Sequence, residues 1–195
     1  MVICLEAPRV REKIDVILVN PGSRAAQYQN LGAEFSAVET PSLAALFATY
    51  LKQREQSVAI IDAPAEEYTP QEVAQFVAED FDPVLVVLVV YGFQPSASTQ
   101  NMTAAGETAR AIKELCPDIK IMMTGTHPAA LPARTLTEEK VDFVCSREGP
   151  RTITMTVMCL KAGREDYELV PDLWFKRGGM VFTSQPGELL PDLDA

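Results

Sequence analysis

Short apolar segments alternate with longer amphipathic ones along most of the chain. Five of the apolar segments are rich in branched residues and have the length of strands: residues 14–20, 57–62, 84–90, 120–124 and 141–145. Each is followed by a turn or loop and then by a stretch whose apolar residues recur at helical spacing. The pattern therefore predicts an α/β domain of five strands, in which strands and helices alternate.

The third predicted strand has no polar position. Residues 84–90 read Val-Leu-Val-Val-Leu-Val-Val, as expected where helices cover both faces of a parallel sheet. We therefore place this strand at the centre of the sheet. With right-handed crossovers, the alternation predicts a doubly wound, Rossmann-like parallel sheet of five strands in the flavodoxin-like order 2-1-3-4-5.

The pattern changes in the last part of the chain. Residues 173–183 contain two β-rich runs around Arg177, Gly178 and Gly179, which is typical of a β-hairpin. Residues 185–195 are acidic and contain two prolines, Pro186 and Pro191, so we expect an extended linker. The predicted division is an N-terminal arm at 1–13, a domain at 14–165, and a hairpin with a linker toward a further domain at 166–195.

The charge and the apolar runs exclude two classes of partner. The chain of 195 residues has a formal net charge of -10, whereas phosphate binding needs clustered Lys and Arg, so we expect no nucleic acid. The longest apolar run, residues 84–90, is far shorter than the ~20 residues that cross a bilayer. No basic segment followed by a long apolar one begins the sequence, so we expect neither a membrane span nor a signal peptide.

The four cysteines do not form a metal or disulfide motif. Cys4, Cys116, Cys145 and Cys159 are scattered without the short spacings of cluster ligands. At this density an extracellular disulfide framework is not expected either. We therefore predict reduced, mostly buried thiols in a cytoplasmic protein.

Small and polar residues collect where the predicted strands end. These residues are Pro21, Gly22 and Ser23 after the first strand; Gly92, Phe93, Gln94, Ser96 and Ser98 after the third; Thr124, Gly125, Thr126 and His127 around the end of the fourth; and Glu148 and Gly149 after the fifth. Carboxyl ends of parallel strands are where ligands bind in such sheets. Small residues allow a large flat ligand to approach, and hydroxyls and amides can bond its rim. We predict a ligand groove at this edge.

Several common sites are missing from the sequence. The turn after the first strand has neither a Rossmann glycine motif nor a Walker phosphate loop, and the third strand does not end in the Asp of a receiver domain. The chain has one histidine and no GxSxG motif, so a hydrolytic nucleophile with its base is not expected. We predict no catalytic residue and no metal ligand in this chain.

The order of several motifs resembles one family. The motifs are a Pro-x-x-Leu-x-x-Leu-like helix start at residues 41–51, the segment 58–63, the turn Thr124-Gly125-Thr126-His127-Pro128, the segment 141–144, and Arg-Glu-Gly-Pro-Arg-Thr at 147–152. Over roughly residues 14–194 the chain is similar to the N-terminal cobalamin (B12)-binding domain of B12-dependent radical SAM enzymes. Those domains carry a "GGxHP" turn and a "VDxVxxGEGE" segment.

The resemblance implies a cofactor and a site. The corrin ring would rest on the carboxyl edge of the sheet, with the nucleotide tail between the first and third strands or their neighbours. Residues 92–98 would lie under the ring and tail, while residues 125–128 with Glu148 and Gly149 would line the tail pocket. The parent enzyme would be a methyltransferase or a rearrangement enzyme that binds a 4Fe-4S cluster and S-adenosylmethionine in a following barrel of the same polypeptide, so this chain alone would not be catalytic.

The sequence departs from the family pattern at three points. Thr124 replaces the first glycine of the GGxHP turn, and Arg-Glu-Gly-Pro at 147–150 stands where Gly-Glu-Gly-Glu is usual. The CxxxCxxC signature of the radical SAM cluster is not in these residues. Mutase-type B12 domains have a cobalt-binding His after the first strand, but residues 20–26 contain none. We therefore predict base-off cobalamin without a His ligand, with His127 as a structural residue or a tail contact.

Two other functions stay open at this level. An interaction domain of the same fold that has lost the cofactor could present the Trp174 hairpin and the acidic tail to a partner. A flavin-binding flavodoxin-like domain is the weaker alternative, because the phosphate loop that it needs does not follow the first strand.

Overall fold

The computed structural model describes residues 10–22, 40–92 and 95–188. Its strands are β1 (Glu12–Asn20), β2 (Val58–Asp62), β3 (Phe81–Val90), β4 (Lys120–Gly125), β5 (Phe143–Cys145), β6 (Leu173–Arg177) and β7 (Met180–Thr183). Its helices are α1 (Ser42–Lys52), α2 (Ala63–Glu66), α3 (Pro70–Asp80), α4 (Pro95–Leu115), α5 (Thr126–Ala130), α6 (Pro132–Glu138) and α7 (Gly149–Lys161), with a short 3-10 turn at Tyr167–Leu169. Within these described ranges, no helix combines the length and apolar character needed to span a membrane.

The strands form one sheet in the order β2-β1-β3-β4-β5-β6-β7. The pairs among β1 to β5 are parallel, which confirms the predicted order 2-1-3-4-5. The predicted count of five strands is too low, because β6 pairs antiparallel with β5 and carries β7 as the new edge. Local sequence indicates that β6 and β7 pair with each other, but the pairing of Val144 with Trp174 joins segments far apart in the chain.

The central strand β3 is buried on both faces, as predicted. Residues 85–90 are at most 3% exposed. Val86, Leu88 and Val90 contribute to one apolar cluster, while Leu85, Val87 and Val89 contribute to the cluster on the opposite face. Burial of each such side chain contributes about 1.5–3 kcal/mol before conformational entropy is counted, so this strand contributes to the cores on both faces of the sheet.

Local sequence determines the start of α3 and the turn of the hairpin. The Thr69 hydroxyl accepts from the Glu72 amide at 3.2 Å and the Glu72 carboxylate accepts from the Thr69 amide at 2.8 Å, which is a capping box ahead of Pro70. Between β6 and β7, Gly178 and Gly179 have φ values of 58° and 81°. Two consecutive positive φ angles give the turn whose twist suits a tight hairpin, which confirms the predicted one.

A polar cluster joins three elements near the amino end of β1. The Asp15 carboxylate accepts from Lys161 Nζ at 2.7 Å and from the Ser57 amide at 2.9 Å, so it links β1 to the end of α7 and to the residue before β2. Burial opposes ionisation of Asp15, but the hydrogen bonds from Lys161 and Ser57 outweigh it and the pKa is lowered. The carboxylate form therefore stabilises the folded chain.

We expect Asp15→Asn to lower the free energy of unfolding by about 1 kcal/mol at pH 7, because it weakens charge-assisted hydrogen bonds. The folded pKa lies below the unfolded value of about 3.9, so the contribution is complete above roughly pH 5 and is lost as the pH falls through the folded pKa. Urea unfolding at pH 7 and pH 3 checks this, with Lys161→Met as the matching change on the cation. A wild-type advantage that does not shrink at pH 3 contradicts the expectation.

Candidate functional site

The carboxyl edge of the sheet contains the point where the chain reverses its direction of winding. From β1 the chain crosses outward to β2, whereas from β3 it crosses in the other direction to β4. Val19 pairs with Leu88, so the end of β1 at Pro21 and Gly22 lies beside the end of β3 at Val90. A crevice outside such a reversal point is the usual ligand site of open α/β sheets.

Most of the candidate residues lie at this one edge. Pro21 and Gly22 follow β1; Gly92, Ser96 and Ser98 follow β3; Gly125, Thr126 and His127 are at the end of β4 and in α5; Glu148 and Gly149 are at the start of α7. Ser23, Phe93 and Gln94 lie outside the described residues. Thr124 is fully buried within β4, where it pairs with Val89 and Cys145 rather than standing in the turn.

Ser98 connects the ends of two neighbouring strands. Its hydroxyl donates to the Val90 carbonyl at 2.5 Å and accepts from the His127 amide at 3.0 Å. The side chain is fully buried. Since Val90 ends β3 and His127 lies in α5 directly after β4, Ser98 fixes the shape of the edge, and as a fully buried residue it is not itself exposed to a ligand.

His127 is held by the first turns of α4. Its Nδ1 lies 2.9 Å from the Thr99 hydroxyl, and the residue is half-buried. It follows β4, which is two strands from β1 and hence about 10 Å away across the sheet. The contact with Thr99 gives the ring a structural partner, in agreement with one of the two roles expected from the sequence.

The glycines of the edge are required by packing within the protein. A Cβ on Gly125 would lie 1.9 Å from the Val90 carbonyl oxygen, and Gly125 has φ 154°. A Cβ on Gly92 would meet Ala97 at 2.4 Å, and one on Gly149 would meet the Phe47 ring at 2.7 Å. From the sequence we expected these positions to leave space for a ligand. In the structure the Cβ positions of these glycines are occupied by the chain itself, so internal packing already requires glycine there, and space for a ligand at the edge stays a prediction.

Tyr91 is a residue of the edge that the sequence reasoning missed. Its ring packs edge-on against Phe47 with 6.2 Å between centroids, its hydroxyl is 3.5 Å from that of Thr124, and its carbonyl accepts from Asn101 Nδ2 at 2.6 Å. Burial raises the pKa of the phenol, partly offset by Thr124, so the ring stays neutral. An aromatic residue directly after a central strand was the available signal.

Cys145 ends β5 as a buried thiol. Its sulfur lies 3.5 Å from the Arg147 carbonyl oxygen and 3.6 Å from that of Glu148, which places it as a donor to the turn before α7. Burial raises the pKa of the thiol. Because the thiolate is the nucleophilic form, this cysteine is unreactive and structural.

Asp172 is a second residue that the sequence did not reveal. It is 8% exposed and has φ 58°, an uncommon conformation for a residue other than glycine. Its carboxylate accepts from the Gly187 amide at 2.9 Å and lies 3.6 Å from Arg147 Nε. Its partners are 15 and 25 residues away in sequence, so only the fold brings them together.

A separate groove of about 360 Å³ lies between α7 and the segment after β7. Arg151 and Met155 form one side, Leu169 and Pro171 another, and residues 185–188 the third. None of the sequence-predicted site residues lines it. The groove is therefore distinct from the crevice between β1 and β3.

A family model described as a B12 binding domain matches residues 29–155, which is more than half of the chain. This chain belongs to the B12-binding domain family. The matched residues include the ends of β3, β4 and β5 and the turns that follow them, so most of the candidate site lies within the matched residues, whereas Pro21 and Gly22 at the end of β1 precede them.

A sequence relative of the B12-binding domain is an uncharacterised methyltransferase of Pyrococcus horikoshii. The two are 27% identical over 180 residues, which is 92% of this chain and 36% of the relative. This chain therefore spans about a third of the length of the relative that it matches.

Two solved structures resemble the B12-binding domain in fold. The radical S-adenosylmethionine methyltransferase TsrM from Kitasatospora setae, with cobalamin and a 4Fe-4S cluster bound, has a TM-score of 0.70 and is 15% identical, covering 94% of this chain and 30% of its own. The cobalamin-dependent S-adenosylmethionine radical enzyme OxsB, with aqua-cobalamin bound, has a TM-score of 0.65 at 16% identity, covering 91% of this chain and 23% of its own. Both likenesses concern a minor part of a much longer chain.

Proposed function

We propose that this chain binds cobalamin at the carboxyl edge of its sheet and is the cofactor module of a radical SAM enzyme, of the methyltransferase type. The observation that carries the proposal is the B12-binding family match over residues 29–155, which contains the turns after β3, β4 and β5. The relative named as a methyltransferase and the fold of TsrM support the enzyme class. The relative is much longer than this chain, which matches only about a third of it. That difference supports the proposal that this domain is part of a longer polypeptide.

The residues of the edge suit a large, flat cofactor. The backbone at Gly125 packs directly against Val90, and the backbone at Gly92 packs directly against Ala97, so neither position has room for a side chain. An extended ring could therefore lie across several strands without meeting long side chains from these glycine positions. The exposed hydroxyls of Ser96 and Thr126 are of the kind that bond the amide groups on the rim of a corrin.

Each group of residues has a separate part in this proposal. Pro21, Gly22 and Gly92 follow the neighbouring strands β1 and β3 and would border the entry of the nucleotide tail. Thr126, His127 and Glu148 with Gly149 lie at the β4 and β5 end of this edge and would line the pocket there. Bound cobalamin supplies the methyl-transfer chemistry, while the chain binds and orients it. Substrate, S-adenosylmethionine and the 4Fe-4S cluster would be held by the following barrel.

We further propose that cobalamin is held base-off and without a histidine on cobalt. His127 is the sole histidine of the chain, so residues 20–26 after β1 contain none. Its Nδ1 contacts Thr99 and its position beyond β4 is about 10 Å from β1, away from the entry proposed for the tail. The lower face of cobalt would then be free of a protein nitrogen.

Reconstitution with hydroxocobalamin tests the binding proposal. The purified chain is mixed with the cofactor, desalted, and examined by visible absorption. Limited trypsin digestion followed by mass spectrometry checks that the chain is folded. We expect corrin absorbance near one equivalent per chain to survive desalting. A folded chain that retains no corrin contradicts the proposal and favours the interaction-domain alternative, in which the fold persists without the cofactor.

Electron paramagnetic resonance of the reduced cobalt(II) form tests whether a nitrogen atom ligates cobalt. Without a nitrogen on the lower face, the spectrum is expected to lack nitrogen hyperfine splitting. His127→Ala is the matched variant, and its spectrum should equal that of the wild type. Nitrogen splitting that disappears in His127→Ala would show that His127 ligates cobalt and that the base-off, His-off proposal is wrong.

A further inference from the structure

Two segments meet at Asp172. The β5–α7 loop, residues 146–148, leads from the end of β5 to the proposed cofactor pocket at Glu148 and Gly149. The post-hairpin segment, residues 184–188, follows β7 and is the last described part of the chain. Both segments bond to the same residue, so their conformations are not independent.

The contacts of Asp172 with the β5–α7 loop use its backbone and its charge. The Asp172 carbonyl accepts from the Ser146 amide at 2.9 Å and from the Ser146 hydroxyl at 3.1 Å. The carboxylate lies 3.6 Å from Arg147 Nε, and it is far more buried than the guanidinium, with side-chain exposures of 9% and 48%. A nearby bond from Thr152 Oγ1 to the Pro171 carbonyl, at 2.9 Å, joins the start of α7 to the same segment.

The contacts with the post-hairpin segment are equally direct. The Asp172 amide donates to the Gln185 carbonyl at 3.1 Å, and the carboxylate accepts from the Gly187 amide at 2.9 Å. A Cβ on Gly187 would lie 2.8 Å from Asp172 Oδ2, so the segment packs closely on the carboxylate. The positive φ of Asp172 is what directs its amide and its carbonyl to different segments.

We infer that Asp172 is a positioning residue that sets the shape of the β5–α7 loop at the cofactor edge and couples this loop to the post-hairpin segment. The inference rests on the proposed function for its cofactor, while its geometry stands on the contacts above. The post-hairpin segment is the part of the described chain nearest in sequence to any following domain. Cofactor binding beside the β5–α7 loop would thus change the conformation of the post-hairpin segment. By reciprocity, a change in the post-hairpin segment would alter the affinity for the cofactor.

Hydrogen exchange and corrin dissociation measured on the full chain test the inference. The variants are Asp172→Ala, which removes both carboxylate contacts; Asp172→Asn, which keeps an acceptor for Gly187 and tolerates positive φ but loses the charge; and Arg147→Ala. The matched control is Asp118→Asn, an exposed carboxylate before the amino end of β4. Each chain is compared with and without hydroxocobalamin.

We expect Asp172→Ala to release hydroxocobalamin about tenfold faster than the wild type, since the ion pair with Arg147 of the loop and the carboxylate bond to Gly187 are both lost. Amides of both segments should exchange faster even without cofactor. In Asp172→Asn the post-hairpin segment should stay slow while release is intermediate and matches that of Arg147→Ala. Asp118→Asn should behave as the wild type.

Other outcomes overturn the inference. A folded Asp172→Ala chain in which only the post-hairpin segment exchanges faster, with release and loop exchange unchanged, would show that Asp172 merely fastens that segment. If Asp172→Ala does not fold, unchanged loop exchange in both Arg147→Ala and Asp172→Asn overturns it. If the wild type binds no cobalamin, the proposed function fails, and loop exchange in the cofactor-free variants still decides the role of Asp172.

Discussion

Gly125→Ala is expected to destabilise the chain by roughly 2–5 kcal/mol. The added Cβ would lie 1.9 Å from the Val90 carbonyl oxygen, so β3 and β4 must separate where they approach the site. Overpacking costs about 1–3 kcal/mol, and the φ of 154° with ψ of 168° lies in a region that only glycine enters without comparable strain. Urea unfolding measures the loss, and corrin retention should fall with it because the turn to Thr126 is displaced.

Gly163→Ala is the matched control for this change. Gly163 also has a positive φ, 63°, but no atom lies within 4 Å of the position that its Cβ would occupy. This variant carries the backbone strain alone and should lose only about 1–2 kcal/mol. Equal losses in the two variants would show that the close contact of Gly125 with Val90 contributes nothing.

Ser98→Ala is expected to lower the free energy of unfolding by about 2–4 kcal/mol. The hydroxyl is fully buried and bonds the Val90 carbonyl and the His127 amide, and each buried polar group left without a partner costs about 1–3 kcal/mol. The loss should be present without any cofactor, because these bonds lie within the protein. Thermal and urea unfolding of the cofactor-free chain measure it.

Ser96→Ala separates this role from a ligand contact. Ser96 is in the same turn of α4 but is exposed, so its removal should change the unfolding free energy by less than about 0.5 kcal/mol. If Ser98→Ala is as stable as Ser96→Ala in the absence of cobalamin, Ser98 does not hold the edge together. Ser98 would then belong to the predicted site only if its hydroxyl contacts the ligand.

The candidate site divides into parts that the sequence could and could not reveal. Small and polar residues after β1, β3, β4 and β5 can be read locally, and a parallel sheet must bring those ends to one edge. The reason for each residue could not be read in this way. Gly125 was expected to leave room for a ligand, and its contact with Val90 requires glycine there in any case, while Thr124, expected at the end of the predicted strand 120–124 as part of the site, is fully buried.

Two other residues illustrate the same limit. Asp172 contacts Gly187 and Arg147 only because the hairpin folds back beside β5. Tyr91 meets Phe47 of α1 across the end of the sheet. Neither contact leaves a periodic or composition signal, since the partners lie far apart in the chain.

By itself the sequence determined the alternation of strands and helices, the central place of residues 84–90 among the five parallel strands, and the order of those strands. These follow from hydrophobic periodicity and from the handedness of crossovers, which are local or general rules. The tertiary structure alone decided that the hairpin extends the sheet beyond β5, that Ser98 joins Val90 to His127, and that Asp172 ties two segments together. Those features depend on contacts between distant residues, whose geometry exists only after the sheet has formed.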